Sequence, residues 1–245
     1  RLRVSSPVDQ GNRTRNVFVN WSGDLTSELT EIIIPMTYPR TIVVTWKTEY
    51  ELQVLSEHGK PSGQGWISAG SAARFSVEPM VSTTTEVRYV FAKWTGDHDG
   101  DSSEGFVVMN GPKTVSATWR TQYLVTLRVI GLPNGTSISI KVNSRWQNGT
   151  MPFAFVEWVD AGCSVNPEAP TKIQTDIDEY VSEGWRNPDG QPIDLPQTIT
   201  TPRSLELVYL RRPKGLLNVL IATYGPDRPP ELAFLEYVRE RQIPR

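Results

Sequence analysis

The densest run of potential ligands in this sequence is Asp97-His98-Asp99-Gly100-Asp101-Ser102-Ser103-Glu104. Carboxylates at alternate positions, with a glycine that lets the backbone curl, suit a hard cation such as calcium, which takes about six to eight oxygen ligands. Asp97, Asp99, Asp101 and Glu104 are therefore the candidate metal ligands. A helix–loop–helix site would need a bidentate carboxylate where Val108 stands, and the flanks read as strands, so any cation would sit at a hairpin tip. The aligned stretch Asp24-Leu25-Thr26-Ser27-Glu28 lacks the extra acids, and a solvated acidic turn is the competing reading.

Other chemistry is sparse. Of the two histidines, His58 lies in a Gly/Pro-rich turn and His98 in the acidic loop, and no motif pairs either with a serine or cysteine nucleophile. Neither a Gly-rich phosphate cradle nor a zinc spacing occurs. Catalysis needs a positioned acid, base or nucleophile, so the expectation is a protein that is not an enzyme, with calcium as the one cofactor to consider. The single cysteine, Cys163, excludes an intrachain disulfide. Aligned with the strand position of Phe75, it reads as a small buried apolar residue.

The 245 residues are 38% hydrophobic and 21% charged, with a net charge of −2. That balance gives no electrostatic reason to expect nucleic acid or an anionic membrane as partner. No apolar run is long enough for a membrane-spanning helix. The length suits two or three small domains. A first residue of Arg1, with no leader pattern before it, implies that a leader was removed or that the sequence is part of a longer chain.

Laid on itself, the sequence repeats. Val17-Phe18-Val19-Asn20-Trp21-Ser22-Gly23-Asp24 lies over Val90-Phe91-Ala92-Lys93-Trp94-Thr95-Gly96-Asp97, and Pro39–Trp46 lies over Pro112–Trp119, both at an offset of 73. A more divergent third copy places Trp185 with Trp94, Tyr209 with Trp119, and Trp158–Cys163 with Trp66–Ser71. The units are 1–46, a truncated copy holding the second half of a repeat; 47–119, complete; 120–209, divergent; and 210–245, a tail. Alternating residues such as Tyr50, Leu52 and Val54, with turn formers every 8–12 residues, predict strands. The fold class that follows is all-β: tandem small antiparallel sandwich or barrel repeats with a short C-terminal helix. The repeated tryptophans read first as core, since a small domain needs a large ring at a fixed place.

The string Tyr89–Asp97, followed by Val107-Val108-Met109 and Lys113–Trp119, resembles the divergent internalin-type B-repeats of bacterial and archaeal surface proteins. The opening Trp46-Lys47-Thr48-Glu49-Tyr50-Glu51-Leu52-Gln53-Val54 is similar to the archaeal version. That resemblance implies an extracellular spacer, adhesin or envelope role and transfers no catalytic residue. Four sequons, at Asn12, Asn20, Asn134 and Asn148, are candidate glycosylation sites. The Asn-Gly pairs at 134 and 148 also read as hairpin turns.

In the tail, Leu216, Leu217, Val219, Leu220 and Ile221 form the most apolar run, and Pro229-Pro230-Glu231 opens the expected helix, which ends at Arg241. The first copy lacks opening strands and the tail supplies one, so 216–222 is a candidate assembly strand for the 1–46 region of a neighbour, giving a head-to-tail filament. The leading reading is a structural or adhesive surface protein of an S-layer, filament or stalk. Its expected partners are itself, other envelope proteins or glycans. Two alternatives stand beside it. A carbohydrate-binding module would need Trp66, Trp146 or Trp158 exposed in a row, and an accessory region of a secreted hydrolase would need a catalytic domain outside this sequence.

Overall fold

The structure, a computed structural model, describes residues 1–176 and 178–213, and every regular element among them is a strand. In chain order these are β1 (Leu2–Arg3), β2 (Val8–Gly11), β3 (Thr14–Gly23), β4 (Glu31–Ile32), β5 (Ile42–Leu55), β6 (Gly65–Ser68), β7 (Ala72–Ser76), β8 (Met80–Ser82), β9 (Val87–Gly96), β10 (Glu104–Val108) and β11 (Lys113–Ile130). They continue as β12 (Ser137–Val142), β13 (Arg145–Thr150), β14 (Ala154–Asp160), β15 (Ser164–Val165), β16 (Pro167–Glu168), β17 (Lys172–Gln174), β18 (Asp178–Arg186), β19 (Gln197–Thr198) and β20 (Arg203–Pro213). The expected C-terminal helix lies outside the described residues. The chain divides into two compact units, Arg1–Tyr123 and from Leu124 onward, and the division falls inside β11.

In the first unit β3 folds back antiparallel on β5, from Thr14 opposite Tyr50 to Gly23 opposite Ile42. β9 does the same on β11, from Val87 opposite Tyr123 to Gly96 opposite Val115. Each pair is interrupted by a one-residue bulge, at Val19 and at Ala92, which fall on each other in the repeat. β5 then runs past Tyr50, and its residues Leu52–Leu55 pair parallel with Lys113–Ser116. One strand thus closes the first copy and opens the second. Alternation of residues foretells strands but not their direction, which is why this parallel pairing was not foreseen.

The opening strand sends Leu52 and Val54 inward (0% and 6% exposed) and Leu55 outward (51%). With Phe75, Trp94, Met109 and Val115 they form the core of the second copy. β7 and β10 cover it as an antiparallel pair, from Ala72 opposite Val108 to Ser76 opposite Glu104. Each such side chain contributes about 1.5–3 kcal/mol by leaving water. The first copy holds a smaller cluster of Phe18, Trp21 and Ile32.

The second unit repeats the frame. β18 lies antiparallel on β20, and β20 pairs parallel with the end of β11, from Val125 opposite Arg203 to Ile130 opposite Val208. Gly162 N–H donates to Ile199 O as Gly70 N–H does to Met109 O, and Ile199 N–H to Cys163 O as Met109 N–H to Ser71 O. Cys163 therefore stands in the place of Ser71, in an exposed turn. The expectation that Cys163 is a buried residue at the Phe75 position is corrected: it is exposed, and the buried residues that follow it are Val165 and Pro167.

Asn134-Gly135 does form a turn, with Gly135 at φ 82. Asn148-Gly149 does not, because it lies in β13 opposite Ile138 and Ser139. The β12–β13 turn is instead Asn143-Ser144, with φ 45 and 72, the doubly left-handed form that suits a two-residue hairpin. Gly149 is needed for space, since a Cβ there would run into the Phe153 ring.

Trp94 carries the second core, so Trp94→Ala is expected to destabilise the first unit by about 3–5 kcal/mol. Urea unfolding followed by near-ultraviolet dichroism checks this, and a loss below about 1 kcal/mol would contradict the assignment.

Candidate functional site

The repeated Trp-Ser/Thr-Gly-Asp segment builds one corner twice. The indole N–H of Trp21 donates to Leu29 O at 2.8 Å, and that of Trp94 to Ser102 O at 2.9 Å. Trp21 sits 5.6 Å from Phe18, and Trp94 sits 5.4 Å from Phe91. Gly23 and Gly96 both adopt φ 97, and any Cβ there would collide with the carbonyl oxygen of Thr41 or Thr114. Asp24 and Asp97 then accept the Thr41 and Thr114 N–H at 2.5 and 2.7 Å. Trp21, Trp94 and Trp185 are all buried, so these rings fill cores.

This corner decides the fate of the acidic loop. The Thr114 N–H holds the Asp97 carboxyl below the usual carboxylate range; burial opposes this, and the charges of Lys113 and Arg13 reinforce it. Lys113 Nζ lies 3.2 Å away. Asp97 is thus engaged within the corner, while Asp99, Asp101 and Glu104 are exposed. Among the described residues no three His, Cys, Asp or Glu side chains gather closely enough to hold a metal ion.

Asn12, Asn134 and Asn148 are exposed, and Asn20 is half-buried in β3 opposite Thr45. Of the three tryptophans a saccharide platform would need, Trp146 is 63% exposed. Trp66 lies beneath the Arg15 guanidinium at 4.5 Å, and Trp158 is half-buried. Residues 216–222 lie outside the described residues.

Two features escaped the sequence reading. Glu49 is buried (6% exposed) between Arg15, at 2.7 Å, and Lys47, also at 2.7 Å. Burial pushes its pKa up, but the hydrogen bonds and charges of Lys47 and Arg15 outweigh that and bring it below the usual range. The second copy puts Arg88 and Gln122 at the same positions, 2.7 Å apart. Laying Phe18 opposite Trp46 would have brought Arg15 to Glu49.

The second feature is a groove of about 570 Å³ beside Trp119, lined by His58, Tyr89, Glu57 and Thr118 among others. His58 stacks on Tyr89 at 3.6 Å and meets Trp119 edge-on. The Trp119 indole N–H donates to Ser56 Oγ at 3.0 Å. Gly59 lets the turn approach, because a Cβ there would press on Val77 and Trp119. Ser56, whose hydroxyl donates to the His58 carbonyl, also lines the groove.

In the second unit, burial pushes the Tyr209 hydroxyl up from 10.0 to about 12, while it donates to Pro170 O at 2.5 Å. A pKa raised on folding means that the neutral phenol's contribution is fully present below pH 10 and is lost as pH rises towards 12. Tyr209→Phe should therefore flatten the alkaline part of the stability–pH curve while costing about 1–3 kcal/mol at neutral pH, where Pro170 O loses its donor. Melting temperatures across pH 9–12, at about half-unit steps, check this; equal alkaline losses in both proteins would contradict it.

No family model, curated protein or solved structure matches this chain.

Proposed function

We propose that this chain is a structural module of a secreted or cell-surface assembly, a spacer or adhesive stalk whose repeats carry tension. The observation that carries the reading is the parallel pairing of each repeat's opening and closing strands, Leu52–Leu55 with Lys113–Ser116 and Val125–Ile130 with Arg203–Val208. Tension along the second copy pulls β5 back toward Ile42 and β11 forward toward Tyr123. Because the paired segments run in the same direction, those forces slide one strand along the other. The bonds between them then bear load together, whereas a hairpin pulled at its open end releases its bonds one at a time.

The resemblance to internalin-type B-repeats supports an extracellular location, and the exposed sequons Asn12, Asn134 and Asn148 suit glycan attachment there. Partners on this reading are other copies, envelope proteins or glycans. An S-layer, a filament and a stalk all use the same property, resistance to extension along the chain.

Single-molecule extension tests it with two variants. Val115 (0% exposed) lies in the parallel pair and Val107 (6%) outside it. Replacement of either by Ala should cost a comparable about 1–3 kcal/mol at equilibrium. Val115→Ala should lower the rupture force of its repeat, whereas Val107→Ala should leave it close to wild type. Equal losses of force would overturn the load-bearing reading.

A further inference from the structure

β5 ends where Leu55 meets Ser116, and β11 runs on beyond that point with β9 along its other edge. The turn after β5 crosses to this hairpin, where His58 stacks on the Tyr89 ring. Tyr89 lies opposite Thr121, and Trp119 stands two residues before Thr121, so the three side chains share one face of the pair. A groove of about 570 Å³ remains between the turn and that face. Sites for small ligands occupy about 300–1,000 Å³.

The aromatic walls of this groove are held in place. The Ser56 hydroxyl accepts the Trp119 indole N–H and donates to the His58 carbonyl, so one side chain ties Trp119 to the turn. The His58 ring is in turn fixed against Tyr89. Rings already ordered lose little freedom when a ligand arrives. The polar lining, by contrast, is uncommitted. Among the described residues the exposed Glu57 carboxylate and the hydroxyls of Ser116 and Thr121 have no hydrogen-bond partner. No lysine or arginine stands among the described residues that line the groove.

We propose that this groove binds a neutral saccharide, which packs against the rings of Trp119 and the His58–Tyr89 stack and donates hydroxyl hydrogen bonds to Glu57. Three properties of the lining select that ligand class. An acidic ligand would meet the Glu57 carboxylate with no cation to offset the repulsion. A wholly apolar ligand would cover Glu57, Ser116 and Thr121 and leave them without water or partner. A small cation would satisfy Glu57 but not the two hydroxyls, and one face of Tyr89 is already taken by His58. A pyranose carries both an apolar C–H face for the rings and hydroxyls that donate and accept. The site is separate from Trp66, Trp146 and Trp158, where the sequence suggested a saccharide platform. The proposal gives the glycan partner of the surface reading a location, and rests on that reading only for its biological setting, not on the load-bearing role.

The test follows the histidine ring protons of the full chain by nuclear magnetic resonance. The probes are cellobiose, maltose, lactose and N,N′-diacetylchitobiose, each titrated to about 20 mM. At least one should shift the His58 signals saturably and leave unmoved those of His98, which packs on Phe75 away from the groove. Glu57→Gln should weaken that binding about tenfold, by loss of a charge-assisted hydrogen bond, at an unchanged melting temperature. Glucuronate and tetramethylammonium should leave the His58 signals in place. The proposal is overturned by no saturable shift with any of the four sugars, or by equal shifts at both histidines. Unchanged affinity in Glu57→Gln, or equal binding of glucuronate or tetramethylammonium, would overturn it as well. Binding is read without load, so a negative result leaves the extension experiment standing, and a negative result there leaves this site standing.

Discussion

A strand that serves two repeats must satisfy two registers at once, and the rest of this structure depends on that constraint. β5 is paired with β3 from Ile42 to Tyr50 and with β11 from Leu52 to Leu55. Side chains alternate with a period of two, so a one-residue slip in the first pairing would turn Leu52 and Val54 out of the next core. The position of Leu52 in the core that holds Trp94 is therefore set partly by where Trp46 meets Phe18, 6.1 Å away. The same contact recurs between Trp119 and Phe91 at 6.0 Å. The bulges at Val19 and Ala92 belong to this frame, because each lets its strand bend between the aromatic pair and the corner.

Polar groups fix the register that the rings leave approximate. Arg15 and Glu49 face each other across β3 and β5, and Arg88 and Gln122 across β9 and β11. A carboxylate in one copy is a neutral amide in the other, so what both share is a cross-strand hydrogen bond and not a charge. This fits the modest net value of a buried ion pair, whose attraction is largely offset by desolvation. The corner aspartates act similarly, since Asp24 and Asp97 each cap a threonine N–H where the strand begins. In the second copy that duty occupies one of the four acids whose spacing suggested a cation.

Much of this was legible because it is local. The 73-residue offset, the alternation in β5 and β11, the Trp-Ser/Thr-Gly-Asp corner and the burial of its tryptophans all follow from neighbouring residues. The parallel closures were not legible, because they join residues about 60 to 80 positions apart and leave no trace in periodicity. The Phe75 position expected for Cys163 conflicts with the alignment of Trp158–Cys163 on Trp66–Ser71, and the backbone bonds follow that alignment. Asn148-Gly149 has the composition of a turn, but Asn143-Ser144 adopts the left-handed conformation instead and pushes the pair into a strand. The Arg15–Glu49 pair needed the hairpin register before it could be found.

The tension-bearing role follows from the parallel bonding of each repeat's opening and closing strands. Amide hydrogen exchange at Val115 tests that pairing most directly, because its backbone faces β5. The account predicts exchange only through global unfolding of the first unit, with protection matching its full stability. Exchange at Val115 at the rate of an amide without a hydrogen bond would contradict it.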